Sequence, residues 1–202
     1  MKTKAVIIAS GGIDSSTLLY KVVKEGFEVY VLTFIYGQKH LQEIEYAKGI
    51  AQGLEVNHRV VDLSAMKGLL SCSALTDSSV EVPNVPETVD HYETLKSTIV
   101  PNRNAIFLSI AIGYAVSLQA NHVYFGAHFS DRGVYPDCRK EFIEAFEHSE
   151  RLANDNPDLI IDAPFVGLYK SAIVNLGAEL GVPFTATSTR STHVAPQCGV
   201  CS

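Results

Sequence analysis

Two stretches of the chain combine residue types and spacings that could do chemistry. The first is Ser10-Gly11-Gly12-Ile13-Asp14-Ser15-Ser16, which follows the apolar run KAVIIA and opens a helical pattern. Glycines let backbone approach a ligand closely, and consecutive N–H groups form a concave nest for phosphate oxygens. A helix N-terminus adds partial positive charge, and the hydroxyls add donors. The pattern is neither Walker A nor GxGxxG. The same residues would also serve as a plain turn in which Asp14 or Ser10 caps the helix, and residue types alone leave both readings open. The second stretch is Cys198-Gly199-Val200-Cys201, which has the CxxC spacing of a zinc knuckle but only two of the four ligands that a structural site takes.

Other candidates are more dispersed. Lys170, at a helix start, could act as a mobile cation for phosphoryl charge or stand as a solvated helix-end lysine. Arg103, in PNRN, could pair with a phosphate or a carboxylate, or orient its loop through a salt bridge. Asp131, Tyr135, Asp137 and Arg139 cluster in GAHFSDRGVYPDCR. His40 and His128 are plausible ligand contacts, although a lone histidine more often only completes a hydrogen bond. Cys138 reads as a small buried packing residue rather than a reactive thiol. No pattern surrounds Cys72.

Strands and helices must position these groups. Residues 4–9, 29–34, 58–63 and 122–126 read as strands, with a further short apolar segment at 159–166. Helical spacing marks 15–25, 41–54, 104–118, 139–153 and 170–181. This alternation predicts an α/β fold: an open, mostly parallel, doubly wound sheet with helices on both faces. Ligands in such sheets sit at the carboxyl ends of the strands, near the topological switch point. The loops to inspect are therefore 10–16, 34–40 and 127–138. Residues 64–100, rich in proline and lacking periodicity, read as a long loop or lid.

The whole composition bounds the function. The 202 residues suit one domain, 1–202, and 47% hydrophobic with 19% charged residues is ordinary for a soluble globular protein. The net charge of −6 argues against a polynucleotide partner held by its phosphates. The longest apolar window, residues 105–118, is too short for a bilayer span, so no membrane partner is expected. The first residues lack a secretory pattern, which makes the cytoplasm the expected location. In that compartment the four cysteines read as thiols or metal ligands. A homodimer stays open.

SGGIDSS resembles the SGGxDS signature of the PP-loop ATP pyrophosphatases, which activate a substrate by adenylation and bind the released pyrophosphate in this loop. Further stretches are TFIYGQKH (33–40), VPNRNAIFLSIAIGYA (100–115), GAHFSDRGVYPDCRKEFIEAF (126–146) and LYKSAIVNLGAELGVPF (168–184). With the final CGVC, they make nearly the whole chain similar to the 7-cyano-7-deazaguanine synthase family. The resemblance implies an ATP-dependent ligase acting on 7-carboxy-7-deazaguanine, ammonia and ATP, with Mg²⁺ as companion ion; the alternatives are a family member that stops at the amide or takes another acid, and a non-catalytic nucleotide-binding protein. Residues 10–16 would then bind ATP. Asp14 would position Mg²⁺ or a ligand hydroxyl, with Lys170 and Arg103 beside it. Asp131, Tyr135, Asp137 and Arg139 would meet the deazaguanine base, whose N1–H and exocyclic amine suit a carboxylate.

The tail departs from the family pattern. The family supplies a third zinc cysteine from a TWSCY-like stretch and a fourth shortly after CGVC. Here the corresponding residues read TSTRS (187–191), with Arg190 at the cysteine position, and the sequence stops at Ser202. Three readings stay open for the tail, residues 185–202. Zn²⁺ is held by Cys198 and Cys201 with His193 standing in for the third cysteine and the last ligand in a tail trimmed from this sequence, it is bound weakly or between chains, or the site is lost.

Overall fold

The computed structural model describes residues 2–38, 42–69 and 99–187. Five strands form one sheet: β1 (Lys4–Ile8), β2 (Glu28–Ile35), β3 (Asn57–Asp62), β4 (His122–Tyr124) and β5 (Ile160–Asp162). Their order is β3-β2-β1-β4-β5 and every pairing is parallel. Ile7 of β1 stands between Val31 of β2 and Tyr124 of β4. A central parallel strand has both faces covered, which is why β1 is apolar throughout its middle rather than alternating. Ala5, Val6 and Ile7 are fully buried.

Among the described residues five helices cover the faces: α1 (Ile13–Lys24), α2 (Gln42–Gly53), α3 (Arg103–Ser117), α4 (Lys140–Ala153) and α5 (Lys170–Leu180). On one face Ala5, Ile7, Val29 and Val31 meet Leu18, Leu19 and Val22 of α1, Ile50 of α2 and Ile173 of α5. On the other, Val6, Leu32 and Phe34 meet Phe107, Leu108 and Ile112 of α3 and Ile143 of α4. The doubly wound architecture expected from the alternation is the one observed. Gly177 lets α5 close on α1, since a Cβ there would stand 2.6 Å from both Thr17 Oγ1 and Phe184 Cζ.

The chain winds outward from β1 through β2 to β3, then returns to the opposite side of β1 as β4. The switch point therefore lies between the carboxyl ends of β1 and β4. Differences from the expected elements are local. The 159–166 segment supplies a strand of only three residues, and 127–138 contains two short 3₁₀ turns, Phe129–Gly133 and Pro136–Cys138. Of the expected lid, residues 64–69 form a 3₁₀ turn and 99–102 lead into α3; 70–98, with Cys72, lie outside the described residues. So do His40 and the tail beyond Thr187, including His193, Cys198 and Cys201. No described helix is long and apolar enough to cross a membrane.

Candidate active site

The glycine-rich turn leaves β1 at the switch point. Gly12 is the N-cap of α1, with φ −75° and ψ 167°, and no side chain caps the helix. A capping serine or aspartate would occupy first-turn N–H groups; glycine at this position leaves them to a ligand. Neither Ser10 nor Asp14 plays the capping role that residue types had left open. Ser15 instead braces the turn from within: its Oγ accepts from the Ser10 N–H at 3.2 Å and donates to the Gly12 carbonyl at 3.2 Å. Gly126, after β4, presses on the same helix start, since a Cβ there would be 3.4 Å from the Ser15 nitrogen. Backbone from the ends of β1 and β4 thus packs together at the start of α1.

A cleft of about 370 Å³ opens beside this turn. Asp14, the second residue of α1, faces it with one oxygen held by Lys170 Nζ at 2.5 Å; the other, Oδ1, is buried with no hydrogen-bond partner among the described residues. His128 Nε2 lies 3.9 Å from Asp14 Oδ2 and 3.6 Å from Asp131 Oδ1, while the His128 N–H donates to Asp131 Oδ2 at 3.0 Å. Burial raises the Asp131 carboxyl above the usual carboxylate range, opposed by His128 and Lys170 and assisted by Asp14. Two carboxylates, a lysine and a histidine therefore share the rim of the glycine-rich turn.

The far wall is aromatic and cationic. Phe34 and Phe107 stack with centroids 4.2 Å apart, and Tyr36 meets Phe107 edge-on. Arg103 opens α3, with its guanidinium 5.7 Å from the Tyr135 ring centre. Burial opposes its charge, but Tyr36, Tyr135 and Asp137 more than compensate, so it remains firmly cationic. Asp137 accepts from the Asn104 backbone N–H at 3.0 Å, fastening the start of α3. Cys138 is buried, accepts from Asn104 Nδ2 at 3.2 Å, and has its thiol pushed up to about 12, chiefly by burial. Such a thiol is a packing residue, since reactivity needs the thiolate.

Comparison with known proteins places this geometry. The family model described as "Queuosine biosynthesis protein QueC" matches residues 4–202. The chain belongs to this family. A relative from Archaeoglobus fulgidus named 7-cyano-7-deazaguanine synthase is 50% identical, covering 91% of this chain and 75% of its own. One of the same name from Caldicellulosiruptor saccharolyticus is 45% identical, covering 98% and 86%. As a member of the QueC family the chain is an ATP-dependent ligase. Solved structures share the fold at lower identity. NMN synthetase from Francisella tularensis matches with TM-score 0.56 and 20% identity, over 90% of this chain and 63% of that one. A 4-thiouridine synthetase, solved with RNA and bound ATP, matches with TM-score 0.56 and 19% identity, over 89% and 41%.

Within this QueC-family fold, the expected site residues divide by position. Ser10, Gly12, Asp14, Ser15, Arg103, Asp131 and Tyr135 line one cleft, and Lys170 reaches it through Asp14. Gly11 has φ +82° and packs beneath the turn, and Ser16 is buried in α1. Ile13 is the first residue of α1. Asp137 is engaged in holding α3. Arg139 is absent from the lining, and its Nε donates to the Arg132 carbonyl at 3.0 Å. The cleft also includes residues that sequence reasoning passed over: Thr33, Phe34, Tyr36, Gln38, Glu43 and Phe107. All but Phe107 and Glu43 fall in or beside the inspected loop 34–40; Glu43 lies three residues beyond its end.

Proposed function

We propose that the chain converts 7-carboxy-7-deazaguanine and ammonia to 7-cyano-7-deazaguanine through two ATP-dependent activations, in the cytoplasm. The observation that carries this reading is a helix N-terminus without a side-chain cap, facing the same cleft as Asp14 and Arg103, with Lys170 bonded to Asp14. A carboxylate resists attack by ammonia because oxide is a very poor leaving group. Transfer of AMP to the substrate carboxylate forms a C–O–P link and releases pyrophosphate, whose charge the turn and Lys170 meet. Ammonia then displaces AMP to give the amide. A second ATP activates the amide oxygen, and its loss leaves the nitrile.

The remaining residues fit roles in this scheme. Arg103, half-buried and cationic, suits the substrate carboxylate, and Asp131 with Tyr135 suits the polar edge and face of the base. Mg²⁺ supplies charge neutralisation for the phosphates when bound. Asp14 Oδ1, buried without a partner, is the protein oxygen that fits it, since Mg²⁺ on nucleotides commonly takes one or two carboxylates. For zinc, Cys198, Cys201 and His193 offer three of the four donors of a closed tetrahedral site. Metal analysis of the purified protein decides: near-stoichiometric zinc supports the knuckle, and zinc-free protein with full turnover removes it.

The decisive assay incubates the protein with 7-carboxy-7-deazaguanine, ammonium and ATP and identifies products by mass. Nitrile and AMP are expected. Accumulation of amide with no nitrile would restrict the activity to the first activation, and no AMP release with any deazaguanine acid would overturn the reading.

A further inference from the structure

We infer that Glu43 accepts the proton shed by the ammonia nitrogen as it attacks the activated carboxylate, an assignment that rests on the adenylation chemistry proposed above. Its position is dictated by the phosphate turn itself. Gly11 has φ +82°, and a Cβ there would collide with the Glu43 carbonyl oxygen and stand 2.7 Å from the Ala47 nitrogen. Only glycine lets the first turn of α2 sit against the turn this closely. Glu43, second residue of α2, is thereby placed on the wall of the cleft that also holds Ser10, Gly12, Asp14 and Arg103.

The other carboxylates near the cleft are already engaged. Asp14 is bonded to Lys170 through Oδ2 and its Oδ1 is the oxygen that fits Mg²⁺, Asp131 accepts the His128 N–H, and Asp137 accepts the Asn104 N–H. Glu43 is influenced by burial and by the charge of Arg103, with no hydrogen bond among the described residues. The titratable groups sharing its cleft are Arg103 on α3, Tyr36 after β2, Asp14 on α1, and Asp131, Tyr135 and Cys138 after β4. Burial pushes the Glu43 carboxyl up to about 7, against a lowering from Arg103. A base acts best when its pKa lies near the working pH, so the environment suits the role that the position suggests.

The step balances. The nitrogen lone pair forms the C–N bond, the C–O bond to the AMP phosphate breaks with its electron pair leaving on AMP, and the nitrogen's surplus proton passes to a Glu43 carboxylate oxygen. Solvent later removes it. Arg103 is near enough to Glu43 for its charge to act on the carboxyl, so a substrate carboxylate held by Arg103 would lie in the same part of the cleft.

The test separates the two half-reactions. Exchange of labelled pyrophosphate into ATP, with 7-carboxy-7-deazaguanine and no ammonia, reads adenylation; amide formation in a single turnover with ammonia reads the later step. Glu43→Gln should retain exchange within about threefold while amide formation falls roughly 10²–10³-fold. At constant free ammonia, the wild-type amidation rate should rise with pH through about 7 and then level. Glu43→Gln should lack that limb, and Glu43→Asp should keep it at a reduced rate. Parallel loss of exchange and amidation in folded Glu43→Gln would make the residue a substrate-binding group and overturn the inference. Persistence of the limb in Glu43→Gln would also overturn it. Wild-type protein without any exchange would instead sink the adenylation reading, and this assignment with it.

Discussion

Asp14 bonds Lys170 through one oxygen, and its other oxygen is buried without a protein partner among the described residues. Leaving a buried acceptor unsatisfied costs about 1–3 kcal/mol, so Asp14 is a poor contributor to stability. The Lys170 pair offsets little, because the lysine side chain is 40% exposed. Asp14→Ala should therefore lower AMP release at least about 100-fold while its melting temperature stays at or above the wild-type value. A joint loss of activity and stability would mean that Asp14 is structural. Glu43 makes a second stability prediction. Its folded pKa, about 7, lies above the ordinary 4.5, so the folded state binds the proton more tightly. Stability is then greatest below about 4.5, falls as pH rises to about 7, and levels beyond. Glu43→Gln should remove this slope, gaining up to about 3 kcal/mol relative to wild type at pH 8 compared with pH 4.5. Matching pH–melting curves for the two proteins would contradict the buried-carboxyl assignment.

At the scale of elements, the glycines at contact points do different work from those in open turns. Gly11→Ala combines a left-handed backbone, costing about 1–2 kcal/mol, with a collision against α2, costing about 1–3 kcal/mol. Gly26 has φ +91° but open space around it, so Gly26→Ala should show the conformational cost alone. Melting of the two variants checks this, with Gly11→Ala expected to be the less stable by several degrees. The contrast also shows what was legible in the sequence. Strand-helix alternation reports local periodicity, and it located the sheet, the five helices of the described residues and the glycine-rich turn. It is silent about where a helix start is carried in space. In α2 the buried Ile44, Ala47, Ile50 and Ala51 define the inner stripe, and Glu43, four residues before Ala47 and seven before Ile50, lies on that same stripe as a carboxylate that a search for apolar periodicity passes over. Its close approach to Gly11, which no periodic pattern encodes, is what brings that stripe to the glycine-rich turn. Asp137 presents the same difficulty: its partner, the Asn104 amide, is 33 residues away, a separation that no periodic pattern encodes. The base-facing role implied for Asp137 thus competes with a bond that exists without any ligand.

Taken as a whole, the molecule gathers its charged groups by one device. Asp14, Glu43, Arg103 and Lys170 are each the first or second residue of a helix, on α1, α2, α3 and α5. In a parallel sheet those helix starts follow the carboxyl ends of strands, so a single edge of the sheet receives them all. Such a site exists only when the strands are in register and both faces are covered. ATP should consequently bind the folded chain and not the unfolded one. At 100 times its dissociation constant, a ligand of this kind stabilises by about 2.7 kcal/mol, which for a domain of this size raises the melting temperature by roughly 5–10 °C. Lys170→Ala should lose much of that rise while retaining the melting temperature of the ligand-free protein, because its contact lies at the rim and not in either core cluster. AMP, which lacks the pyrophosphate group, should stabilise both proteins equally. A full ATP shift in Lys170→Ala would place the phosphates away from the α5 start, and an ATP shift no larger than that of AMP in wild type would separate the glycine turn from pyrophosphate binding.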